Sequence, residues 1–279
     1  MQVSERTGDL LAPRTVHRVY EVTRALFRSA LKASLIKATP CSLSIEPGEL
    51  PPKKDKDPVW RASAVFCLAE VQMLLSDKRI PADRRVLYAI AFLTGSRYGE
   101  VAGVRWSDYD TNHTPLSRIL IARQYDGAPL KGRGSNTREV PVHPLLGRML
   151  DDWHGQRWKA TYGRSPIATD LIVPRKTDLK SRQQAVTWRQ WTRDLEAVGL
   201  RHRRIHDTRR TLISLCRADG ANDTMLRWIT HGPSASDIMD AYTTPPWNML
   251  CQQIACLSIE ICNDAMGYRN SVEDNSAQF

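Results

Sequence analysis

Three stretches of this chain hold residue types suited to chemistry on an anion. In TGSRYGEVAGVRWSDYD (residues 94–110), Arg97 follows Thr94-Gly95-Ser96, a helix stop and restart, so its guanidinium belongs to a backbone turn. In IHDTRRT (205–211), His206 and Arg209 are three apart and share one side of a helix. In THGPSASDIMDAYTTPPW (230–247), His231 and Tyr242 lie beside a Pro-Pro turn. Between the first and second stretches runs a glycine-rich connection, DGAPLKGRGSNTR, with Lys131 near its tip. Each feature alone is common, but their order is not. Two arginines stay charged at any working pH and pair bidentately with oxyanions. Histidine and lysine move protons, and a phenol, with a pKa of about 10, attacks once its proton is taken.

The ordered set resembles the catalytic domain of the tyrosine recombinase (phage integrase) family. That pattern runs Arg, Lys on a β-hairpin, His-x-x-Arg, His or Trp, then Tyr. The matching positions are Arg97, Lys131, His206, Arg209, His231 and Tyr242, and the resemblance covers about residues 64–247. Lys131 is preferred to its neighbour Arg133 because a lysine is readily deprotonated and rotates freely. His231 and Tyr242 stand eleven residues apart, slightly more than the family interval, and HGPSASD replaces the commoner Gly-His-Ser-Ser. Tyr268 is set aside because it lies in a polar tail.

The resemblance implies a set of roles. Arg97 and Arg209 clamp the non-bridging phosphate oxygens while Tyr242 attacks the phosphorus. His206 accepts the phenolic proton or orients the phosphate, His231 donates a hydrogen bond, and Lys131 protonates the leaving 5′ oxygen. The product would be a 3′-phosphotyrosine link with a free 5′-hydroxyl. The link conserves the bond energy, so neither ATP, metal nor another cofactor is expected. Double-stranded DNA is the implied partner, within a synaptic homo-tetramer, with accessory DNA-bending or directionality factors as further partners.

The elements that must position these residues are mostly helical. Pro13–Ala38 reads as a basic amphipathic helix, with Val19, Val22, Leu26, Ala30 and Ala33 at helical spacing and Arg18, Arg24, Arg28 and Lys32 between them. The segment IEPGELPPKKDKDP reads as a linker. Helices are expected over Leu68–Ser76, Ala82–Leu93, a run through Trp188, Trp191, Leu195 and Val198, Asp207–Ala218, a short helix capped by Asn222, and Trp247–Met266. Arg118–Tyr125 and Glu139–His143 read as two strands of a hairpin. The expected fold is mainly α with a small antiparallel sheet. Its divisions are a partial DNA-clamping region (1–45), a linker (46–60), a catalytic domain (61–250), the last helix (247–266) and a disordered tail (267–279). The stripe Leu250, Ile254, Leu257, Ile261 either packs on its own core or, as the family implies, docks on a neighbouring protomer.

Composition agrees with such a protein. Lys and Arg outnumber Asp and Glu by 40 to 30, and a surplus of this size suits a polyanion partner. The six cysteines form no Cys-x-x-Cys pair, so reduced thiols in a cytoplasmic, nucleoid-associated protein are expected. No signal-peptide pattern opens the sequence, and no apolar run suits a membrane span. The expected function is site-specific strand cleavage and rejoining, as in a phage or prophage integrase. The alternatives are a DNA-binding integrase remnant, because only some 60 residues precede the catalytic block, and a type IB topoisomerase-like strand transferase. The hairpin lysine and TGSRYGE favour the recombinase.

Overall fold

The computed structural model describes residues 8, 10–41, 50–52, 59–130, 137–232, 239 and 242–261. The chain divides into two units, Met1–Ser63 and Ala64–Phe279.

In the first unit, helix α1 (Pro13–Lys32) opens with proline at its first position, where a missing N–H costs nothing. None of its residues is buried, and Val19, Val22 and Leu26 are exposed. The helix stops six residues before the expected Ala38. Ser34 turns left-handed (φ 57°), its N–H bonds the Leu31 carbonyl, and the Leu35 N–H reaches the Ala30 carbonyl, both at 3.0 Å. That pair of bonds satisfies the last carbonyls and ends the helix before Pro40 can. Helix α2 (Trp60–Ala64) spans the division between the units.

The second unit is built around α4 (Ala82–Thr94), which packs against α3 (Leu68–Ser76), α6 (Pro144–Asp152) and α9 (Asp207–Ala218). Eleven of its thirteen residues are buried, so its polar side chains need partners. Asp83 pairs with the buried Arg182. Arg84 forks onto Asp194 at 2.7 and 2.8 Å, and the Tyr88 hydroxyl donates to the same carboxylate at 2.6 Å. Asp194 lies on α8 (Gln184–Ala197), whose Trp191 meets Tyr88 edge-to-face at 4.7 Å. Trp191 Nε1 donates to the Arg203 carbonyl at 2.7 Å. From α6 the chain continues through a wider turn at Trp153–Arg157 into α7 (Trp158–Tyr162).

The sheet order is β1 (Tyr109–Asp110), β2 (Arg118–Ile121), β3 (Arg138–Pro141), all antiparallel, with Arg118 opposite Pro141 and Ile121 opposite Arg138. β2 ends at Ile121, short of the expected Tyr125, because the chain turns at Gly127 (φ 78°), where Gln124 N–H bonds the Ala128 carbonyl. β3 begins one residue earlier than expected and ends at Pro141, beyond which Pro144 starts α6.

The last helix is shorter than its stripe suggests. α11 (Trp247–Ala255) carries Leu250 and Ile254 inward, and residues 256–261 are then non-helical. There Leu257, Ile259 and Ile261 are buried while Ser258 and Glu260 are exposed, an alternation with the period of extended chain. Leu257 and Ile261 fit both periods, so the sequence pattern was ambiguous. The segment is held by its own chain: His143 Nε2 lies 2.9 Å from the Leu257 carbonyl, and Gln72 donates to the Glu260 carbonyl at 2.7 Å. The stripe packs on its own core here. Residues 262–279, including the expected end of this helix and the tail, lie outside the described residues. Among the described residues, no helix is long and apolar enough to cross a membrane.

Candidate active site

Arg97 is presented by a turn that only a few residues can make. α4 ends at Gly95 in the left-handed region (φ 60°), and the Ser96 N–H bonds Thr94 Oγ1 at 3.2 Å. A Cβ on Gly95 would stand 2.9 Å from Leu212 Cδ2 and 3.1 Å from Thr230 Cγ2. Glycine is needed here for space as well as for conformation. Arg97 then caps the short helix α5 (Tyr98–Val101). Glu100, in its first turn, accepts from the Arg97 N–H at 2.9 Å and from Arg97 Nη1 at 2.9 Å.

Arg209 comes from α9 and is 4% exposed. It donates from Nη1 to the Gly95 carbonyl at 3.0 Å, while its buried Nη2 has no hydrogen-bond partner among the described residues. Burial, together with the positive charges of Arg97 and Arg138, pushes its pKa down to about 10. It therefore stays charged at neutral pH in surroundings that supply too little negative charge.

The two histidines flank this pair. His206 precedes α9, at a turn closed by Asp207, whose Oδ2 accepts from the Arg204 N–H at 3.0 Å. It is exposed at the rim, and partial desolvation followed by the Arg209 charge holds its pKa below the ordinary value. His231 is the last residue of α10 (Asp223–His231), a helix capped by Asn222 through bonds from the Thr224 and Met225 N–H groups. Its Nδ1 lies 2.8 Å from Thr230 Oγ1, and Nε2 has no hydrogen-bond partner among the described residues. A helix C-terminus ordinarily favours a charged histidine. Here desolvation and then Arg209, Arg97 and Arg138 win, and the pKa falls to about 4.

Two side chains that the motif reading assigned no role complete the electrostatics. Glu100 and Arg138 are 2% and 7% exposed and meet at 2.5 Å. Burial alone would raise the Glu100 pKa, but Arg138 and then Arg97 hold it below the usual carboxylate value. Glu100 stood three residues after Arg97, at helix-start spacing, which was its only signal in the sequence. Arg138, 38 residues further on, had none.

A cleft of about 450 Å³ adjoins the cluster, lined by Arg97, Tyr125, Trp188, Arg204 and His206 among others. Arg209 and His231 do not line it. The structure thus brings Arg97, Arg209, His206 and His231 into one electrostatically coupled group. Lys131, with Arg133, lies outside the described residues, which reach the base of its hairpin at Leu130 and resume at Thr137. Tyr242 is 84% exposed, and no hydrogen bond or ion pair joins it to the other described members. Among the described residues, no group of three or more His, Cys, Asp or Glu gathers as a metal site.

No protein-family model matches the chain. The ICEBs1 integrase of Bacillus subtilis (strain 168) is 24% identical over 149 residues, which cover 51% of this chain and 38% of that protein, so the match spans well under half of the relative's length. Among solved structures, the Tn1549 transposon integrase in complex with circular intermediate DNA aligns with a TM-score of 0.55 at 14% identity, over 88% of this chain and 79% of that one. A lambda integrase dimer bound to a core site aligns at 0.53 and 15%, over 82% and 73%. The integrase from mycobacterium phage Brujita aligns at 0.50 and 13%, over 94% and 79%. The mainly helical second unit with its three-stranded antiparallel sheet shares its fold with these integrases.

Proposed function

We propose that the chain is a site-specific DNA recombinase that cuts and rejoins strands through a 3′-phosphotyrosine intermediate, as a phage or prophage integrase does. One observation carries this reading: the buried Arg209, beside the charge of Arg97, has neither a partner for Nη2 nor a carboxylate of its own among the described residues. A buried guanidinium without a counter-charge is costly unless a ligand supplies one. A phosphodiester does, and its negative charge grows on the non-bridging oxygens as it is attacked. Preorganised donors at such a site are each worth about 3 kcal/mol in the transition state.

In this mechanism Tyr242 Oη forms a bond to phosphorus as the bond to the 5′ oxygen breaks. The phenolic proton passes to His206, whose lowered pKa leaves it neutral and able to accept at neutral pH. Lys131 supplies the proton taken by the leaving 5′ oxygen. His231, taking up a proton as the phosphate binds, donates to it from Nε2. A 5′-hydroxyl of a second strand reverses the steps and releases Tyr242. The exposure of Tyr242 suits a nucleophile that must meet a strand of DNA. Double-stranded DNA is the partner, a synaptic homo-tetramer with accessory DNA-bending or directionality factors is the working assembly, and the nucleoid is the place of action.

The test is an incubation of the full-length chain with nicked duplexes tiled across the DNA flanking its gene. A covalent protein–DNA band that survives denaturant is expected with one of them. Saturable binding without such a band on any duplex would instead make the chain a DNA-binding module.

A further inference from the structure

Arg138 heads β3 as the hairpin returns, directly opposite Ile121, and its side chain turns into the interior. Its bonds reach two carriers of the site, the Arg97 turn and α10. Nη2 donates to Glu100 Oε2 at 2.5 Å, and Glu100 in turn holds both the backbone and the side chain of Arg97. Nη2 also lies 3.3 Å from Oγ of Ser96, within the turn that presents Arg97. Nε donates at 3.0 Å to the carbonyl of Ile229, two residues before His231 on α10.

We infer that Arg138 is a positioning residue of the phosphate site, tying the Arg97 turn, the His231 end of α10 and the strand that leaves the hairpin into one rigid unit. The inference rests on the reading of the site as phosphate-handling. Two segments that bear separate functional groups, the Arg97 turn and the end of α10, otherwise drift independently, and misplacement by about 1 Å costs such a site roughly a hundredfold. A guanidinium suits the task because its donors have fixed directions, which a lysine ammonium lacks. Charge follows the same geometry. Glu100 is shared by Arg97 and Arg138, and Arg209 pairs with no carboxylate among the described residues, so within them three guanidiniums face one carboxylate. That leaves a net of two positive charges, matching a phosphodiester that passes from one negative charge to two as it is attacked. Without Arg138, Glu100 would neutralise Arg97 alone.

The test uses the full-length chain with ¹⁵N-labelled histidine, titrated with inorganic sulfate, a tetrahedral oxyanion of constant charge near neutral pH. In the wild type, His231 should respond to sulfate and titrate near 4 without it. In Arg138→Gln, sulfate should bind about tenfold more weakly, and His231 should titrate closer to its ordinary value. In Arg138→Lys the charge remains while the fork is lost, so His231 should stay low while sulfate binding still falls about threefold or more. Wild-type sulfate affinity in Arg138→Lys would overturn the positioning role. If Arg138→Gln does not fold, Arg138→Lys decides the question alone. A wild-type protein in which His231 ignores sulfate would instead defeat the phosphate-site reading itself.

Discussion

Arg209 binds the carbonyl of Gly95 at 3.0 Å, so one guanidinium of the candidate site fixes the turn that presents the other. The second residue after Gly95 is Arg97, and the left-handed glycine leaves no room for a side chain between Leu212 and Thr230. Position and chemistry are therefore coupled through main chain.

Gly95→Ala should test that coupling. The left-handed conformation costs alanine about 1 kcal/mol, and the contact with Leu212 adds to it. A total loss of about 1–3 kcal/mol is expected in urea unfolding. DNA cleavage should fall further than stability, since both arginines move.

Arg209→Met should separate stability from activity. It removes a buried charge that, among the described residues, has one carbonyl bond and no acidic partner, and replacement of such a charge by an apolar side chain is often neutral or stabilising. The melting temperature should stay at or above that of the wild type, while strand cleavage falls by about 10²–10³. A large drop in melting temperature would show that Arg209 serves the fold instead.

The pH dependence of anion binding has a definite sign. His231 faces Arg209, Arg97 and Arg138, with Glu100 as the opposing charge, and its pKa near 4 reflects that balance. An oxyanion adds negative charge and raises this pKa, so binding takes up a proton. Affinity for sulfate should therefore rise as pH falls from 7 to 5, by about tenfold, and never by more than about tenfold per pH unit for one proton. Glu100 is held below its usual value and stays ionised in this window. His206 is also depressed and contributes to the same trend, so the comparison is made in His206→Gln and His231→Gln separately. Calorimetry in buffers of different ionisation heat checks the proton count, and a flat profile in the wild type contradicts the account.

Stability of the scaffold should centre on Asp194. Its carboxylate takes two bonds from Arg84 and one from the Tyr88 hydroxyl, all at low exposure. Asp194→Ala leaves a half-buried guanidinium and a buried hydroxyl without their acceptor, and should cost about 3 kcal/mol in chemical denaturation.

Much of the scaffold was legible because local signals agreed. Leu68–Ser76 and Asp207–Ala218 have the bounds their periodicity and caps implied, and Asn222 caps α10 through its side chain. The C-terminal stripe was not legible, since Leu257 and Ile261 satisfy both a helical and an alternating period, and tertiary burial chose the latter. α1 was misjudged because a serine adopted the left-handed stop that glycine usually supplies. Arg97, Arg209 and the histidines were singled out by type and order, and the structure places them together. Arg138 was not, since its bonds depend on a pairing between β3 and α10 that no local pattern encodes.

The most direct measurement digests the covalent protein–DNA complex and locates the linked residue by mass spectrometry. The account predicts a 3′-phosphonucleotide on the peptide that contains Tyr242, and loss of the complex in Tyr242→Phe. A complex that persists in Tyr242→Phe, or a link to another residue such as Tyr268, would contradict it.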